Sequence, residues 1–172
     1  MSFRLTSMAS RIFTIRSLLT PPARRVIATT AASILPFTPA TYTPVRKMSD
    51  ISPVFTKDAA PPAGPYSQAI KTPSAIYCSG QIPCDAQGNL IEGSIGDKTA
   101  KCIENLKAVL LAAGSSVQKV VKVNIFLADM AHFAEMNKEY EKWFVHKPAR
   151  SCVAVKTLPK NVDVEIECIA LP

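Results

Sequence analysis

The sequence predicts an α+β domain over residues 48–172, a mixed β-sheet with two helices packed on one face. Three observations predict it. Two stretches carry apolar residues at helical spacing. Short, strand-like runs flank both of them. The resulting order is strands, helix, strand, helix, strands, with no internal repeat.

The elements follow in chain order. Thr72, Pro73 and Ser74 form a turn between two short strands, Tyr66–Ile70 and Ala75–Ser79. Residues 85–93 are a loop. Ser94 with Asp97 three residues on forms a capping box. Behind it Ile103, Leu106, Leu110 and Ala113 keep helical spacing, and Gly114 ends the helix. Val121, Val123, Ile125 and Leu127 alternate with Lys122 and Asn124, which predicts a strand. Asp129 is placed to cap a second helix, whose inner face is Phe133, Met136, Tyr140 and Trp143/Phe144. Two strands finish the chain, Ser151–Val155 and Val162–Ala170, joined by residues 156–161.

The charge is unevenly distributed. The chain of 172 residues has a formal net charge of +7. Residues 1–49 carry Arg4, Arg11, Arg16, Arg24, Arg25, Arg46 and Lys47 and no acid, so 7 − 0 = +7 lies there. The remaining residues carry 13 bases and 13 acids, 13 − 13 = 0. As a helix, Leu5, Met8, Ile12, Ile15 and Leu19 make one apolar stripe flanked by arginines. An acid-free, Ser/Thr-rich, Arg-bearing amphipathic start is the composition of a mitochondrial transit peptide, so residues 1–47 are expected to be an address plus linker, and the matrix the destination. Val26–Phe37 is too short for a membrane span. Pattern and charge both change at Met48, which makes that methionine a candidate second start that would yield a cytosolic form.

Five cysteines, no CxxC and only two histidines fit neither a disulfide framework nor a zinc site. Reduced thiols in the cytosol or matrix are the simpler expectation. The neutral domain lacks the basic footprint that nucleic acid needs.

The last two strands hold the chemically informative residues. Side chains alternate along a strand, so Arg150, Cys152 and Ala154 share a face, and Glu165 shares one with Glu167. A hairpin turning near Leu158-Pro159 would set Arg150 opposite Glu165 or Glu167, with Val153, Val155, Val164 and Ile166 toward the core. A guanidinium, a carboxylate and a thiol would then gather on the sheet face away from the helices. The same spacing also describes a cross-strand ion pair on a solvated face, and spacing alone does not separate the two.

Four segments go further: GPYSQAI (64–70), CSGQIP (78–83), AAGSSVQKVVKVNIFLADM (112–130), and KPARSCVAV followed by LPKNVDVEIECIA (147–170). They resemble the Rid family, also called YjgF or L-PSP, and in particular its mitochondrial fungal members. The resemblance implies a chorismate-mutase-like fold and a homotrimer with clefts between neighbours. It also implies hydrolysis of 2-imino acids such as 2-iminobutanoate and 2-iminopropanoate to 2-keto acids and ammonia, with no cofactor, metal or membrane. Residue by residue, it makes Arg150 the carboxylate-binding arginine and Glu165 the group that orients water or takes its proton. Tyr66 would hold that water or the leaving nitrogen. The backbone at Ser79 and Gly80 would hydrogen-bond the ligand, Cys152 would line the pocket, and Asn137 would reach it from the second helix. The chain departs from the family at the short link Val145-His146-Lys147 and at Ala154. Two other functions compete: an endoribonuclease or translation inhibitor, and a non-catalytic carboxylate-binding or chaperone-like module.

Overall fold

The computed structural model describes residues 50–172; the leader of residues 1–47 and the start at Met48 fall outside them. Strands β1 (Ser52–Val54), β2 (Ala69–Lys71) and β3 (Ile76–Gln81) precede helix α1 (Ile95–Ala112). Then come β4 (Val120–Leu127), α2 (Phe133–Trp143), β5 (Ala149–Ala154) and β6 (Val164–Ala170). The six strands form one sheet in the order β1-β2-β3-β6-β4-β5. Only the β4–β5 pairing is parallel. The expected mixed sheet with two helices is therefore present.

Helix α1 follows its sequence signals. The Ser94 hydroxyl accepts from the Asp97 amide, and the Asp97 carboxylate accepts from the Ser94 amide, so two orphan donors of the first turn are satisfied. At the other end Gly114 adopts φ +79°, open to glycine at little cost. The Ser115 amide donates to the Leu110 carbonyl and the Gly114 amide to Leu111, which closes the last turn. Lys71 Nζ donates to the Ala113 carbonyl at 2.7 Å and adds a cation at the negative end of the helix. Ile103, Leu106 and Leu110 are fully buried against the sheet, each contributing about 1.5–3 kcal/mol by leaving water.

Several expectations need correction. A short strand, β1, precedes the two first predicted, and Tyr66 lies in the loop before β2 rather than in a strand. Asp129 caps a single 3-10 turn, Met130–His132, through the Ala131 amide, and that turn leads into α2. Val121 is exposed and Val120 buried, because the β4–β6 register slips by one residue there.

The main correction concerns β5. It forms no hairpin with β6. It pairs in parallel with β4, Val123 against Arg150 and Ile125 against Cys152, and ends the sheet as an edge strand. β6 runs between β3 and β4. Laterally paired residues share a face, so Arg150 and Cys152 lie with Val123 and Ile125 on the helix side. Val153 is exposed on the other side, and only Val164 and Ile166 point inward as expected. The uncovered face carries Tyr77, Lys122, Asn124, Phe126, Val153, Glu165 and Glu167.

Candidate active site

The candidate residues fall into two groups, on opposite faces of the sheet. The first is built around Arg150. Parallel pairing directs its side chain under α2, where it is half-buried. Nη1 donates to Asn137 Oδ1 at 2.7 Å. The guanidinium carbon lies 4.7 Å from the Tyr140 ring centroid and 5.7 Å from that of Phe133. Among the described residues no carboxylate pairs with Arg150. Cys152 follows on the same face, half-buried. Burial pushes its thiol up, against the smaller opposing pull of Arg150, so it remains protonated at neutral pH. A cavity of about 310 Å³ opens beside Arg150, lined also by Asn137, Tyr140, Phe144, Val145 and Pro148. The short link after α2 is closed by Lys147 at φ +53°, and its amide donates to the Phe144 carbonyl.

The second group gathers Tyr66, Ser79, Gly80 and Glu165. Buried Gln68 braces the loop that carries Tyr66: its Nε2 donates to the Ala60 and Thr56 carbonyls, and its Oε1 accepts from the Thr56 amide. Tyr66 Oη accepts from the Ala63 amide at 3.0 Å, while about half of the residue stays exposed. Ser79 is tied back to the same loop, its hydroxyl donating to the Ser67 carbonyl at 2.7 Å. Between Cys78↔Cys168 and Gln81↔Ile166, β3 holds one residue more than β6. This bulge places Ser79 and Gly80 off the regular ladder, where the Ser79 amide donates to the Gln68 carbonyl at 3.0 Å and its carbonyl accepts from Gln81 Nε2 at 3.2 Å. Gly80 packs directly on Glu165: a Cβ built there would overlap Oε1 and lie 2.8 Å from Cδ. Tyr66 and Gly80 also line one cavity of about 240 Å³.

Glu165 is half-buried and accepts no hydrogen bond from the described residues, whereas neighbouring Glu167 accepts from Asn124 Nδ2 at 2.7 Å. Burial, then the Glu167 charge, raise the Glu165 pKa above that of an ordinary glutamate. A raised pKa makes the carboxylate a stronger base near neutral pH.

Within one chain the two groups do not meet. Arg150 is level with Val123 and hence Cys168, three residues from Glu165 along the strand direction, or about 10 Å. β4 intervenes, which adds about another 10 Å across the sheet. The predicted gathering of guanidinium, thiol and carboxylate on one face is therefore replaced by two half-sites. The sequence reading also missed the contact of Phe133 and Tyr140 with Arg150. The available signal was the strand-helix-strand order of residues 120–154, which favours a parallel crossover with the helix over both strands.

No group of three or more His, Cys, Asp or Glu forms a metal-ligand set among the described residues, and no helix there is long and apolar enough to cross a membrane.

Residues 56–172 match the family model described as endoribonuclease L-PSP. The chain is 56% identical over 131 residues to the protein mmf1, mitochondrial, of Schizosaccharomyces pombe, which covers 74% of this chain and 80% of that protein. The crystal structure of yeast Mmf1 superposes with a TM-score of 0.69 at 50% identity, covering 70% of this chain and 98% of the other. The crystal structure of E. coli TdcF with bound serine has a TM-score of 0.67 at 38% identity, covering 70% and 98%.

Proposed function

Since the chain belongs to the L-PSP (Rid) family, we propose that it hydrolyses 2-imino acids, 2-iminobutanoate and 2-iminopropanoate among them, to 2-keto acids and ammonia. The observation that carries this reading is Arg150. A half-buried guanidinium with no carboxylate partner among the described residues is prepared for an anionic ligand, and its fork matches a planar carboxylate. That TdcF has been crystallised with serine, which bears an α-carboxylate, supports the same chemistry.

In this reading the substrate carboxylate rests on Arg150, and its imine carbon faces Glu165 of a neighbouring subunit. Glu165 takes a proton from water as the oxygen attacks C2. Tyr66 holds the water or the departing nitrogen. That proton passes to the nitrogen and leaves a carbinolamine; the hydroxyl proton then follows to the same nitrogen through Glu165 as the C–N bond breaks, so ammonia leaves and the carbonyl forms. An imine is already electrophilic, so no covalent intermediate with Cys152 is needed. The Gly80 backbone and the Ser79 carbonyl supply further hydrogen bonds, the Ser79 amide being held by Gln68.

The two half-sites argue for assembly. A head-to-tail ring joins the Arg150 group of one subunit to the Glu165 group of the next, and the homotrimer of the family resemblance is such a ring. Light scattering should find three subunits; a monomer at working concentration would dismantle this site.

Relatives named mitochondrial support import of this chain. We assign residues 1–47 as the transit peptide and the matrix as the destination; use of Met48 as a second start would leave a second product in the cytosol, against the alternative of one imported product. Following both pools after replacement of Met48 tests this.

The deciding experiment gives the full chain 2-iminobutanoate generated in situ. Formation of 2-oxobutanoate and ammonia faster than spontaneous hydrolysis is expected; no acceleration would refute the proposal. The family description favours a second reading, RNA cleavage. Residues 50–172 carry no net charge. Their two histidines form no acid–base pair, with His146 Nε2 engaged by the Val120 carbonyl. RNA cleavage that survives Arg150→Ala would point away from the imine site.

A further inference from the structure

Phe133, Asn137 and Tyr140 are four and three residues apart on α2 and form one stripe along the helix. All three contact the same guanidinium: two through ring faces at 5.7 and 4.7 Å, one through the 2.7 Å hydrogen bond to Nη1. Three contacts of different geometry constrain different motions. The aromatic faces fix the plane of the fork, and Asn137 fixes its rotation within that plane. Nε and Nη2 have no acceptor among the described residues. The edge they form is therefore the one left for a carboxylate.

The helix is itself held. Tyr140 is buried and stacks on buried Phe144 with ring centroids 4.5 Å apart. Glu135 Oε1 accepts from the Gly96 amide at 3.0 Å and ties α2 to the start of α1. Arg150 lies on an edge strand, where the sheet constrains it from one side only. Without the stripe, a long side chain there would sample many rotamers.

The hydroxyl of Tyr140 is sealed from solvent and has no hydrogen-bond partner among the described residues. A buried orphan hydroxyl contributes no stability. What Tyr140 supplies to Arg150 is its ring.

We propose that Phe133 and Tyr140 are positioning residues for the imine-hydrolysing site, acting with Asn137 to present the Nε–Nη2 edge of Arg150 to the substrate carboxylate; this rests on the function proposed above. Cation–π contacts in a partly desolvated setting are strong enough to change affinity about tenfold. The effect should fall on recognition of the carboxylate, not on the attack of water, because neither ring reaches the Glu165 half-site of its own chain.

The test uses the full chain and the variants Tyr140→Phe, Tyr140→Leu and Phe133→Leu, with circular dichroism and light scattering to verify fold and assembly. Tyr140→Phe keeps the ring and should hold KM for 2-iminobutanoate near the wild-type value. Tyr140→Leu and Phe133→Leu should raise KM on the order of tenfold with kcat little changed. They should also lose preference for the imino acid over its uncharged carboxamide. Should Tyr140→Leu fail to fold, the half-buried Phe133 carries the test alone. A folded leucine variant with wild-type KM and undiminished preference would overturn the proposal. So would a Tyr140→Phe variant as impaired as Tyr140→Leu, since the hydroxyl would then be the active part.

Affinity for 2-oxobutanoate, measured by calorimetry, separates this inference from the reading beneath it. A wild-type protein that binds the keto acid without turning over the imine ends the deaminase reading, and the clamp is then judged by the same variants on affinity. A protein that does neither ends both.

Discussion

Gly80→Ala isolates the contact on which the proposed base depends. The added Cβ would lie 2.8 Å from Glu165 Cδ and 3.1 Å from Cγ, and closer still to Oε1. Ordinary carbon contacts begin near 3.5 Å, so Cδ must retreat by about 0.7 Å and Oε1 by more. The obstacle is the free end of a half-buried side chain, so the protein can yield. Destabilisation should stay near 1 kcal/mol, at the low end for overpacking. Catalysis has no such latitude. A displacement on the order of 1 Å of a group that positions water costs about a hundredfold in rate. The assay pairs a thermal melt with kcat and KM for 2-iminobutanoate, beside Glu165→Gln and the double variant. The alanine should cost the double variant little beyond Glu165→Gln alone, since both act on one carboxylate. A folded Gly80→Ala protein with wild-type kcat would refute the reasoning. So would full additivity, which would assign Gly80 a route independent of Glu165.

Three further outcomes follow. Arg150→Lys should lose most turnover because an ammonium cannot reproduce the fork, and Arg150→Ala essentially all; near-normal turnover of the alanine variant would remove Arg150 from the site. Cys152→Ser should remain active, because burial keeps the thiol protonated and the chemistry needs no nucleophile; a folded but inactive serine variant would contradict that. For Glu165, burial raises the folded-state pKa, so between its unfolded and folded values the native state binds more protons and stability falls as pH rises. Turnover should therefore fall on the acid side at a higher pH than an ordinary glutamate would give. Glu165→Gln should melt higher than wild type at neutral pH, and that advantage should shrink as pH drops through the raised pKa toward the ordinary range. Parallel melting curves across that window would show the carboxylate to be unperturbed.

Local signals made much of this protein legible in its sequence. The capping box at Ser94 and Asp97, the stripe of Ile103, Leu106 and Leu110, and the glycine at 114 specify α1 because each acts within a few residues. The inward residues of α2 and the alternation along β4 are likewise local, since periodicity records which side of an element is buried. The motif segments carried the family and the identities of the candidate residues.

Strand pairing is different in kind. β5 and β6 are separated by a nine-residue connection that contains Pro159, with Lys160 and Asn161 at positive φ, and by sequence it resembles a hairpin. β5 instead pairs with β4 across an intervening helix, and β6 inserts between β3 and β4. Pairing is decided by contacts distant in sequence: which strand's apolar side fits beneath α1 and α2, and which edge remains. Because laterally paired residues share a face, the choice of partner also decided the side on which Arg150 emerges. The sequence by itself determined which residues are the candidates to bind a carboxylate and activate water. Only the tertiary structure decided that Arg150 lies under α2, clamped by Phe133, Asn137 and Tyr140, while Glu165 leaves the opposite face, because side-chain direction in a sheet is set by pairing and not by any local pattern.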